Sequence, residues 1–429
     1  MKHLPIIVLL FLSVQTMFGQ NLKISEDSIP FYFNETKIAT QNNYELWNKD
    51  LYGEMLLVNP QTRDIYANMP DDAGLLKKEG TIYKGILPNE INFANTAIDW
   101  NGKSWAMIML PLPKDKQARI NLLSHELFHK AQPSLGFVIN NVDNNHLDQK
   151  DGRIYLRLEL EALEQAYLSE SSVEMKKHLT DALIFRKYRN SLFPGSNTTE
   201  NVLELNEGIA EYTGQIISGR NNEQKIENFE KSLSMFIGYP TFVRSFAYQT
   251  IPIYGFLLMD SKKDWNKDIT VQTNLIDYFI KAFNIKMPMD LHKSVIEMGD
   301  KYNCKTIVDE ETKRDEINKK LISEYKTKFI EQPHFDIQLE QMQFSFDPRN
   351  IMPLEDKGTV YPNIRITDKW GILTVESGAL VSSDWKKVSL SKPTDISDKR
   401  IIGEGWSLEL EEGYKLLKIE EGNYKLIKE

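Results

Sequence analysis

The segment Ser124-His125-Glu126-Leu127-Phe128-His129 sets two imidazoles four residues apart with a carboxylate between them. Residues four apart share one face of a helix, so His125 and His129 can aim their rings at a single metal ion. Glu126 lies beside them and reaches a water on that metal without being a ligand, which is the placement of a general base. A catalytic zinc site built this way needs a third protein ligand and an open fourth position. The best-placed third ligand is Glu207, in Leu205-Asn206-Glu207-Gly208-Ile209-Ala210-Glu211-Tyr212, a helical stretch that otherwise reads as buried. His146, in the polar loop Asn145-His146-Leu147-Asp148, is the other candidate. His178, His292 and His334 have no partner spacing and read as ordinary surface or hydrogen-bonded residues.

These side chains need particular elements to hold them. Between Asp115 and Ala131 the apolar residues Ala118, Leu122, Leu123, Leu127 and Phe128 recur at helical spacing, and Pro133 ends the run. The apolar run Ser104 to Leu110 before it reads as a strand, ended by Pro111-Leu112-Pro113. Up to about Asn101 the chain predicts strands and loops. Arg153 to Arg189 predicts two helices closing at Phe193-Pro194-Gly195, and Glu200 to Ile217 predicts the helix that carries Glu207. Beyond Pro333, Phe335, Ile337 and Leu339 alternate with polar residues, as do Trp406, Leu408 and Leu410, which predicts an antiparallel β domain with one buried face.

H-E-x-x-H followed by an N-E-G-x-A helix resembles the gluzincins, the metallopeptidase group that includes thermolysin and the zinc aminopeptidases. A third His at position 135 would instead have made a metzincin, but Gln132 and Leu135 stand where that pattern needs Gly and His. The gluzincin resemblance implies Zn2+ held by His125, His129 and Glu207, with Glu126 as general base and acid, in a zincin-like domain that hydrolyses peptide bonds with a zinc-bound water. Glu211, one turn after Glu207, matches a carboxylate that supports a ligating His in the thermolysin branch; a solvated helix carboxylate is the alternative. A downstream Tyr or His often supplies the oxyanion donor in this group, which points to Tyr248 first, with Tyr254 and Arg244 behind it. Ser104 to Leu110 would be the edge strand that pairs with an extended peptide, or else an interior strand. The 77 residues between His129 and Glu207 exceed the intervals of thermolysin-like members, so the helices in Arg153 to Phe193 read as an insertion. No G-x-M-E-N segment precedes the metal helix, so endopeptidase activity is expected ahead of aminopeptidase activity.

The fold class expected is α+β: a zincin-like domain over residues 21–333, strand-rich to about 113 and mostly helical after it, then a β domain over 334–429. Residues 1–20 have the layout of a secretory signal peptide, with Lys2 followed by an apolar core from Leu4 to Val14, so the protein is expected to be exported to a periplasmic or extracellular space. Cys304 is the only cysteine, which excludes an intramolecular disulfide and a thiolate-rich zinc site. With 52 basic against 61 acidic residues, nucleic acid is not an expected partner, nor is membrane insertion once the leader is removed. A peptide or protein substrate is. Two rivals use the same residues: an envelope binding or structural protein whose metal cross-links two helices with Glu211 as fourth ligand, and a metal hydrolase of a non-peptide amide.

Overall fold

The structure is a computed structural model that describes residues 8–10, 26–139 and 142–429. Most of the expected leader at 1–20 lies outside the described residues. Six strands form the first sheet, in the order Lys77–Glu79, Ile82–Ile86, Asp64–Ala67, Met55–Val58, Lys103–Met109, Thr96–Trp100. Met55–Val58 and Lys103–Met109 run parallel, and the other pairs are antiparallel. Successive residues point to opposite faces, and here both faces are covered. Met55, Leu57, Ala106 and Ile108 meet helices on one side, while Leu56, Val58, Trp105 and Met107 join a second cluster on the other. That is why the run from Ser104 is apolar without alternation.

The expected edge strand is corrected by this sheet. Lys103–Met109 is interior, flanked by Met55–Val58 and Thr96–Trp100, and Thr96–Trp100 forms the border. A parallel pairing with a strand some fifty residues earlier is long-range and leaves no local signal. The strand-and-loop expectation for the N-terminal part also missed α1 (Ile29–Asn42). Its buried residues Ile29, Phe33, Thr36 and Thr40 do recur at helical spacing, but two of them are threonines, so the apolar stripe is masked.

The helix α2 (Lys116–Ala131) starts at Asp115, whose carboxylate accepts from the Ala118 amide at 2.7 Å, and it buries Leu123 and Leu127 against the sheet. Beyond it, α3 (Lys150–Leu168) and α4 (Ser172–Leu192) pack as a hairpin. Then α5 (Ser196–Leu203), a π turn over Glu204–Gly208 and α6 (Ile209–Ile217) form one nearly continuous helical run, where a single uninterrupted helix was expected. The helices α7 (Asn222–Ile237) and α8 (Ala247–Met259) follow, then three more ending in Cys304–Lys326.

From His334 onward the longer regular elements are strands, in two sheets. Phe335 and Trp406 meet across the gap between them with ring centroids 5.6 Å apart and planes tilted by 37°, and the Trp406 indole donates to Ser391 at 3.0 Å. The pairing is mainly antiparallel, but Tyr424 and Lys425 pair in parallel with Phe335 and Asp336. This region meets the loop before the Thr96–Trp100 strand through Ser345, which donates to the Phe93 carbonyl at 3.2 Å.

Candidate metal centre

His125 and His129 project from consecutive turns of α2, and their Nε2 atoms come to 3.0 Å from each other. The Oε2 atom of Glu207, from the π turn, lies 3.2 Å from the His129 Nε2 and 3.5 Å from the His125 Nε2. Ligands about 2.0 to 2.1 Å from a tetrahedral zinc sit roughly 3.3 Å from one another. The three separations scatter around that value. His125 and Glu207 are almost fully buried, and His129 is the more accessible of the three, with 13% of its side chain exposed. His125, His129 and Glu207 therefore form a metal-sized donor group.

The hydrogen bonds behind the imidazoles decide which nitrogens face this point. The Nδ1 of His125 lies 3.2 Å from the carboxylate of Glu211, which can only accept while ionised, so that Nδ1 carries the hydrogen. Glu211 also accepts from Asn121 at 3.1 Å and Gln215 at 2.9 Å. Burial raises its pKa, but these donors and His125 outweigh burial and hold it below the usual range. The Nδ1 of His129 faces Gln132 Oε1 at 2.8 Å. When neutral, both rings thus turn bare Nε2 lone pairs toward each other and toward a carboxylate. Such an arrangement is repulsive unless a cation sits among the three atoms, so the donor set fits a metal ion.

The charges respond accordingly. Burial disfavours a charge on His125, yet Glu207 and Glu211 lift its pKa to about 10 when a proton plays the cation's part. Glu207 is pushed up by burial and then, more strongly, held far below its ordinary value by the two imidazoles. Glu126 is 1% exposed, and its Oε2 has no hydrogen-bond partner among the described residues. Burial, opposed by both imidazoles and reinforced by Glu207 and Glu211, raises its pKa to about 7.

Tyr248, at the start of α8, donates its hydroxyl to Glu207 Oε2 and stacks on the His125 ring, with centroids 5.4 Å apart and planes 10° from parallel. Close packing makes this possible. A Cβ added at Gly208 would fall 2.5 Å from Ile251 Cγ1 and 3.2 Å from the Ala247 carbonyl, so the glycine of the N-E-G motif lets α8 approach the π turn. Gly214 does the same for α2 and α6, because a Cβ there would lie 2.7 Å from the Asn121 carbonyl.

The other candidates lie elsewhere. Tyr254 is buried with its hydroxyl on Glu159 at 2.8 Å, Arg244 turns to Asp143 at 3.2 Å, and His146 bonds Glu200 at 2.7 Å. Sequence reasoning gave no role to Asn121, Gln132 or Gln215: the bonds from Asn121 to Glu211 and from Gln132 to Asn206 join segments far apart and leave no local signal, whereas Gln215, four residues after Glu211, and Gln132, three after His129, lie at helical spacing that could have pointed to them. Comparison with protein-family models, with curated proteins and with solved structures gives no match.

Proposed function

We propose that this chain is an exported zinc-dependent metallopeptidase of gluzincin type that hydrolyses peptide bonds, acting within chains in preference to their amino termini. The observation that carries the reading is the convergence of two bare imidazole nitrogens and the Glu207 carboxylate at tetrahedral spacing, beside a buried Glu126 whose Oε2 has no partner among the described residues. Zinc held there would supply the positive charge that lowers the pKa of a water to about 7 and polarises a carbonyl.

The chain's own groups divide the remaining work. Glu126 takes the proton from the attacking water at Oε2, as the water oxygen bonds to the carbonyl carbon. It then delivers that proton to the leaving nitrogen as the C–N bond breaks, and a pKa near 7 suits both transfers. Burial and the neighbouring carboxylates keep the Tyr248 phenol protonated, and its single O–H, given to Glu207 in the structure, would turn from that oxygen to the charge that develops on the carbonyl oxygen when a metal engages Glu207. Thr96–Trp100, as the border of the sheet, has backbone groups on its outer side to pair with an extended peptide.

A purely structural metal would need a fourth protein ligand. Glu211, the residue best placed for that by sequence, sits behind His125 on Nδ1, on the side of the ring away from the other donors. This favours an open position and hence catalysis over a cross-link. A non-peptide amide remains the second reading, since the same groups would serve it. The test compares wild type with Glu126→Gln for zinc content and for cleavage of a mixed peptide library. Retained zinc with cleavage reduced by about 100-fold or more is expected; equal cleavage by both proteins would sink the assignment.

A further inference from the structure

Gln132 enters the sequence only as the residue that replaces a glycine of another zinc-peptidase pattern, yet it joins the two segments that hold the ligands. It closes α2, with its backbone N–H bonded to the Phe128 carbonyl, and Pro133 follows immediately. Its own carbonyl accepts from the Phe137 amide at 2.9 Å, and the residue is 5% exposed. The side-chain amide is therefore fixed at its base and enclosed. Its Nε2 donates to the Asn206 carbonyl at 2.9 Å, and its Oε1 faces His129 Nδ1 at 2.8 Å.

These two contacts leave one proton arrangement. A backbone carbonyl only accepts, so the amide NH2 must face Asn206. The amide oxygen then faces His129, whose Nδ1 must carry a hydrogen, and the neutral ring is left with a bare Nε2 on the side of His125 and Glu207. Asn206 directly precedes Glu207, so the same amide ties the turn that carries the third ligand to the end of the helix that carries the first two.

We propose that Gln132 is a positioning residue of the metal centre, which fixes the tautomer of His129 and clamps the Glu207 turn against α2. The assignment rests on the metal-centre reading given above, and zinc binding tests the two separately. Zinc affinity of the full chain would be measured by competition with a chromophoric chelator for wild type, Gln132→Met, which keeps the shape without hydrogen bonds, and Gln132→Glu, which keeps the acceptor but loses the donor. Gln132→Met is expected to bind zinc about 10- to 100-fold more weakly, with Gln132→Glu between it and wild type. In zinc-loaded protein labelled with 15N-histidine, the Nδ1–H signal of His129 should persist in wild type and Gln132→Glu and be lost to exchange in Gln132→Met.

Equal zinc affinity in wild type and Gln132→Met, or a His129 without hydrogen on Nδ1 in wild type, would overturn the assignment while leaving the metal centre standing. If Gln132→Met does not fold, Gln132→Glu decides: wild-type affinity in that variant would show that the tie to Asn206 contributes nothing and would overturn the clamp. A wild-type chain that takes up no zinc would overturn the metal centre and this assignment with it.

Discussion

Two clusters of buried carboxylates lie on either side of the π turn, and they differ in where their positive charge comes from. On one side, Glu159, Glu200 and Glu204 meet Arg186 and Arg189, all at 1% exposure or less. Arg186 bonds Glu159 at 2.8 Å and Glu204 at 2.6 Å, and Arg189 bonds Glu159 at 2.8 Å and Glu200 at 2.7 Å. On the other side, Glu126, Glu207 and Glu211 gather round two imidazoles, whose charge depends on a proton, and of these three carboxylates the Arg220 guanidinium acts on Glu211. The guanidinium cluster carries permanent cations within the chain and has no reason to exchange them. The imidazole cluster must borrow a cation, either a proton or a metal, and Glu126 keeps an oxygen without a partner among the described residues. The first arrangement suits a scaffold and the second suits chemistry.

Breaking the permanent cluster should have the largest effect. Arg186→Met leaves three buried carboxylates with a single guanidinium and is expected to lower the unfolding free energy by about 3 to 5 kcal/mol. Urea unfolding of the metal-stripped protein measures this, and a loss under about 1 kcal/mol would contradict the contrast between the clusters. Next in size is a change on the other side. Tyr248→Phe removes a hydroxyl beside the ligands and is expected to lower kcat by about 100- to 1,000-fold, with KM and zinc content little changed. A variant with wild-type kcat would move the oxyanion donor elsewhere.

The borrowed cation also predicts a pH dependence on the alkaline side of neutrality, set by an imidazole in place of a guanidinium. His125 has a folded pKa of about 10 against 6.5 ordinarily, so its protonated ring stabilises the metal-stripped fold fully below about 6.5, and this contribution is lost as pH rises through 10. Glu126, raised to about 7, acts in the same sense, but its share is lost as pH rises through 7 and so falls mostly below the range that His125 governs. Between pH 7 and 10 the unfolding free energy of metal-stripped protein should therefore fall, by up to about 1.4 kcal/mol per pH unit for one proton. Zinc loading should flatten this slope, because the ion takes the proton's place. A slope unchanged by zinc, followed in chelator and in zinc-containing buffer, would sever the link between the proton and the metal.

How much of this could be read from the sequence depended on the distance between partners along the chain. The pair His125 and His129 and the pair Glu207 and Glu211 are each spaced by one helical turn, so local periodicity places each pair on one face, and the structure brings the two faces together. Tyr248 could not be separated from Tyr254 and Arg244 by spacing, because what distinguishes it is the close approach of α8 at Gly208. Nothing in the local sequence marks Arg186, Arg189 and Glu159 of the inserted hairpin, or Glu200 of the helix after it, as buried partners. Their burial follows from α3, α4 and α5 packing around Glu204, so the hairpin also anchors the turn that bears Glu207. The swap of border strands has the same origin in a long-range pairing.

The smallest effect compares two hydroxyls on one helix. Tyr248 and Thr250 lie two residues apart on α8, and each donates to a carboxylate of the π turn: Tyr248 to Glu207, and Thr250 to Glu204 at 2.8 Å. Thr250→Val removes the second bond while keeping the side chain's shape, and Glu204 keeps its two bonds from Arg186. The cost is therefore one redundant hydrogen bond, about 1 kcal/mol of unfolding free energy, with zinc affinity within a few-fold of wild type. If Thr250→Val instead weakened zinc binding as much as a lost hydrogen bond to an imidazole ligand would, about 10-fold or more, strain at Glu204 would be reaching Glu207 three residues on. The two clusters would then be one mechanical unit, with the guanidinium side setting the geometry of the ligand as well as its anchorage. Chelator competition on the purified variant separates these outcomes.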